Sequence, residues 1–124
     1  MYNKINADVV TDGYAVRKKF DAVIRKANSD KIFIGSGNSS VEVCYYSSSL
    51  SSSVDMYGSF YQLDGDLIFE YGQLNPKVAL GYEKLCSNVS SLTFNRVGQA
   101  AQMILVLDNG SQKNTIITSA FTNN

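Results

Sequence analysis

The residues able to do chemistry in this 124-residue chain are few, and their types limit what they could do. There is no histidine and no tryptophan, so the commonest general base and the commonest metal ligand are both missing. No serine has a histidine to activate it, and neither cysteine has one beside which to act as a nucleophile. Four carboxylates, Asp55, Asp64, Asp66 and Glu70, lie close in sequence. A calcium site needs six to eight converging oxygens, whereas two of these aspartates read as part of a turn. "IGSGNS" (34–39) holds two glycines after an apolar run, but a phosphate loop needs fuller spacing and a following helix, so a plain turn is expected. "RKK" (17–19) reads as the solvated face of a helix. Tyr45, Tyr46, Tyr57, Tyr61, Tyr71 and Tyr82 fall on predicted strands, where cross-strand packing is their commonest use. Cys44 and Cys86 either close a loop of about 40 residues or are two unrelated small core residues. Lysine plus arginine and aspartate plus glutamate number 11 each, for a net charge of zero, which argues against nucleic acid as the main partner. No catalytic residue, cofactor or metal is expected.

The elements that position these residues follow from periodicity. Over 5–27, Ile5, Val9, Val16, Phe20, Val23, Ile24 and Ala27 recur at helical spacings and form one apolar stripe. Asp21 and Arg25 are four apart and can pair on its surface. Gly13 costs about 1 kcal/mol in such a helix and could mark a kink. Beyond residue 30 the period becomes two. Strands are predicted over 31–34, 39–46, 54–63, 66–72, 77–85, 89–97, 101–108 and 114–121. Asp64-Gly65 joins two of them as a tight hairpin turn. The expected fold is α+β: one domain over 1–124, with a long N-terminal helix packed through Val16, Phe20, Val23 and Ile24 on one antiparallel sheet.

With that order in view, three segments resemble minor pilins and pseudopilins. The hairpin "FYQLDGDLIFEYG" is similar to their segment of tyrosine, turn and strand. "LCSNVSSLTFNRVGQAAQMILVLDNGSQKNTIITSAF" is similar to the strands that follow it. "VRKKFDAVIRKANSDKIFI" resembles the exposed half of the pilin helix running into the first strand. The resemblance covers most of residues 5–121. It implies a pilin-like fold and a non-catalytic assembly subunit of a type IV pilus or type II secretion pseudopilus. Its partners would be other pilin or pseudopilin subunits, with Ile5, Val9 and Val10 on the assembly surface. It implies an extracytoplasmic location, at the cell surface or in the periplasm. Membrane contact would come only through a missing apolar helical segment of ~20 residues. An oxidising compartment would in turn imply a Cys44–Cys86 disulfide. Two other readings compete: a cone-shaped NTF2-like domain with a small molecule inside a curved sheet, and an adhesive module using its tyrosine and serine surface.

Overall fold

The structure is a computed structural model that describes residues 2–123, with side chains from residue 13 onward. A helix, α1 (Tyr2–Ile24), is followed by eight strands: β1 (Ile32–Ile34), β2 (Val41–Tyr45), β3 (Met56–Leu63), β4 (Asp66–Gln73), β5 (Val78–Cys86), β6 (Val89–Val97), β7 (Ala100–Asp108) and β8 (Lys113–Phe121). They form two sheets, β1-β2-β3-β4-β5 and β6-β7-β8, in which every pairing is antiparallel. This overturns the expected α+β architecture of one long helix on one sheet. The chain is mostly β, it has two sheets, and the helix is its minor element. The switch between sheets sits at Ser87-Asn88. Asn88 takes a left-handed φ of 63°, and the next amide, Val89 N–H, donates to Gly65 O at 2.9 Å rather than continuing beside β5. Strand periodicity marked β5 and β6 but carried no sign of this break.

Helix α1 ends at Ile24 and not at 27. Its last turn tightens, with Lys26 N–H bonding Val23 O at 3.1 Å and Ala27 N–H bonding Ile24 O at 3.3 Å, the three-residue step common at helix ends. Gly13 does not interrupt the helix. A Cβ there would sit 3.4 Å from Ile116 Cδ1, so α1 runs close against β8.

The helix touches both β8 and β5 and fills the space between the two sheets on that side. Val16, Phe20, Val23 and Ile24 are buried among residues of both sheets. The Phe20 ring lies 5.5 Å from Phe60 of β3 and 6.1 Å from Phe94 of β6, and Phe60 lies 5.0 Å from Phe69 of β4. Arg96 Nη1 closes the far side by donating to Ile32 O at 3.3 Å. At the Asp64-Gly65 turn both φ angles are positive, 51° and 80°, as a two-residue hairpin requires. The register that results pairs Leu63 with Asp66 and Ser59 with Glu70.

Candidate functional site

The basic run of α1 works as a clamp. Arg17 Nη1 donates to Ile117 O at 3.0 Å on the outer edge of β8. Lys19 pairs with Glu83 of β5 at 3.1 Å and lies 5.0 Å from the Phe69 ring centre. Thus two of the three cations tie the helix to opposite sheets. An unprotected edge strand is a template for foreign pairing, and Arg17 blocks one acceptor on β8. Lys18 remains on the open side with Tyr14. Together with Lys84 and Leu85 of β5 they line a surface groove of about 480 Å³. Arg25 and Asp21 pair at 3.0 Å. The side chains of Ile5, Val9 and Val10 lie outside the described residues.

The densest polar cluster is on the outer face of the five-stranded sheet. Glu70 accepts from Tyr57 Oη at 2.5 Å and from Tyr61 Oη at 3.0 Å, with Tyr82 opposite it on β5. Lys77 donates to Glu42 and stands 4.7 Å from the centre of the buried Tyr57 ring. Burial, then the hydrogen bond to the Glu70 carboxylate, raises both phenols: Tyr57 far above the ordinary value of 10.0, Tyr61 to about 12. Lys77 is raised chiefly by its bond to Glu42. At neutral pH both phenols stay protonated and donate, and Lys77 stays charged. Neither phenol, nor Lys77, is therefore poised to exchange a proton near pH 7. The groups of the cluster satisfy one another and tie together β2, β3, β4 and the turn before β5. Sequence reasoning missed it although the signal was present. The Asp64-Gly65 turn sets Ser59 opposite Glu70, and that places Tyr57 and Tyr61 diagonal to the carboxylate on one face.

Cys44 and Cys86 are both buried and are not joined in a disulfide, which departs from the pairing that the resemblance implied. They sit on β2 and β5, with β3 and β4 between them. Three strand spacings are about 14 Å, twice the ~7 Å that a disulfide tolerates between α-carbons. They also face opposite ways. Cys86 belongs to the core, whereas Cys44 points outward beside Glu42, to which its thiol donates at 3.9 Å. Burial, then the Glu42 charge, raises the Cys44 thiol, so it is a poor nucleophile.

The four carboxylates weighed for calcium do not converge. Asp64 lies in the hairpin turn and Asp66 just after it, Glu70 holds two tyrosines, and Asp55 anchors the serine-rich loop between β2 and β3. Among the described residues no group of three or more histidine, cysteine, aspartate or glutamate side chains is placed to hold a metal ion. Ser36–Asn38 form a single 3₁₀ turn, with Gly37 at φ 77°. The inner face of the five-stranded sheet is filled by Val43, Phe60 and Phe69 against the helix, where a cone-shaped domain would keep its ligand.

Comparison with known proteins gives no match to a family model, to a characterised protein or to a solved structure. The site is therefore read from its own geometry.

Proposed function

We propose that the chain is a non-catalytic assembly subunit of a type IV pilus or type II secretion pseudopilus, working outside the cytoplasm with other pilin or pseudopilin subunits. The observation that carries this reading is helix α1. Its described stripe, Val16, Phe20, Val23 and Ile24, is already fully used in docking to the two sheets. The helix backbone starts further upstream, at Tyr2, and the same apolar spacing continues in sequence through Val9 to Ile5. An apolar stripe that continues along the sequence in this way suits a helix that packs against other helices. The mutual saturation of Tyr57, Tyr61, Glu70, Glu42 and Lys77 also suits a rigid structural module better than a reactive one.

The test is made in the source cell. Val9→Asp with Val10→Asp is introduced into the native gene, and fibre assembly and secretion are measured beside the subunit's cellular level. Loss of assembly at a normal level supports the proposal. Normal assembly and secretion by the double variant overturn it.

A further inference from the structure

An open depression of about 400 Å³ lies where the serine-rich loop meets the end of α1 and the last strand. Lys26, Tyr46, Asn123 and the hydroxyl-bearing Ser48, Ser49 and Ser52 line it. Residues far apart in sequence converge here, and the loop and the tail are each tied down. Asp55 accepts from Ser47 N–H at 2.7 Å, from Ser47 Oγ at 2.6 Å and from Ser51 Oγ at 3.3 Å. Leu50 N–H bonds Ser48 Oγ, and Ser51 N–H bonds Ser48 O, both at 3.2 Å. Asn123 N–H bonds Ala27 O at 2.9 Å, which fixes the tail of the chain against the end of the helix. The loop is thus shaped by its own bonds, so a ligand would not have to order it.

The groups left for a ligand are of three kinds. The Tyr46 ring is 44% exposed and presents an apolar surface with a polar tip. The Ser49 and Ser52 hydroxyls make no hydrogen bond among the described residues, and each can both donate and accept. Lys26 is the only charged side chain in the lining. Its ammonium stands 5.0 Å from the Tyr45 ring centre and meets no carboxylate among the described residues. Asp55 lies behind the serines with both oxygens engaged.

We propose that this depression binds one unit of an acidic saccharide, a uronate, at the subunit's surface. The C–H face of the sugar ring stacks on Tyr46, its hydroxyls exchange hydrogen bonds with Ser49, Ser52 and Asn123, and its carboxylate pairs with Lys26. A compact phosphate suits the site less well. It is best held by forked guanidinium groups or a cradle of backbone N–H groups, and this lining offers one point charge and spread hydroxyls. Sugar binding here is independent of fibre assembly, and the two are tested separately.

The test is an amide-resolved NMR titration of the isotope-labelled protein with trigalacturonate, with neutral galactotriose and with inorganic phosphate. Trigalacturonate is expected to give saturable shifts confined to Lys26, Tyr46, Ser48 to Ser52 and Asn123. Lys26→Met, which keeps the stem over Tyr45, should weaken it by at least about tenfold, and Tyr46→Ala should abolish it. Ser49→Asp adds a like charge without touching the Lys26–Tyr45 contact and should also abolish it. The rest of each variant's spectrum reports whether it is folded. The proposal is overturned by the absence of shifts up to about 10 mM trigalacturonate, a concentration that would detect even millimolar affinity. Equal shifts from galactotriose or from phosphate, or unchanged affinity in folded Lys26→Met, overturn it as well.

Discussion

At the scale of single residues, two kinds of buried side chain set the expected sensitivities. Phe20 is wholly buried and touches rings from both sheets. Phe20→Ala is expected to cost about 3–5 kcal/mol, measured by chemical denaturation. An unchanged midpoint would mean that this face of the helix is not docked. Glu70 matters for a different reason. Removing it as Glu70→Ala leaves the buried Tyr57 phenol without its acceptor, at a cost of about 1–3 kcal/mol, whereas Glu70→Gln keeps an acceptor and should cost less. The same contact sets a pH dependence. The folded value of Tyr61 is raised from 10.0 to about 12 by burial and then by Glu70, and Tyr57 is raised too. A raised value means that the stabilisation is complete below about pH 10 and is lost as pH climbs through 12. Unfolding free energy should therefore fall across pH 10–12. Ultraviolet titration should show at least two of the eight tyrosines ionising late. A partial shift of that late fraction toward pH 10 in Glu70→Gln would trace it to this cluster, since burial remains. Eight tyrosines ionising together near pH 10 would contradict it.

Two glycines make opposite predictions at the scale of elements. Gly13 lies in α1, and among the described residues a methyl group there meets only the side chain of Ile116, at 3.4 Å from Cδ1. Helix propensity favours alanine by about 1 kcal/mol, so Gly13→Ala should leave stability unchanged or raise it by up to that amount. Gly58 lies in β3 under the helix. Its added methyl would stand 2.9 Å from Phe69 Cε1 and 3.2 Å from Val23 Cγ1, both in the packed core. Gly58→Ala should cost about 1–3 kcal/mol, as overpacking does. Thermal melts of the two variants side by side check the placement of α1 on both sheets at once. Arg17→Ala belongs to this scale too. Its loss should cost little stability and speed amide exchange along β8, since Ile117 O loses its cover.

The whole molecule is a mostly β body whose two sheets are bridged by a helix clamped to each of them through Arg17 and Lys19. Its cysteines sit three strands apart on opposite faces. Thiol counting on denatured, unreduced protein should find two thiols per chain, and none would require a different pairing of β2 and β5. Much of this body was legible in the chain. The helical stripe through Val16, Phe20, Val23 and Ile24, the strand segments and the Asp64-Gly65 hairpin all arise from local rules of periodicity and turn chemistry, which act over a few residues. The Tyr57–Glu70–Tyr61 cluster follows from the hairpin register and was legible in principle. Three features were decided only by tertiary structure. Ser87-Asn88 turns the chain into a second sheet, because Val89 finds its partner at Gly65 and not on the neighbouring strand. Cys44 and Cys86 are held apart, because strand order is a long-range choice that alternation does not encode. Lys26, Tyr46 and Asn123 meet in one depression, because the end of the helix, a loop and the last strand are brought together only when the core closes.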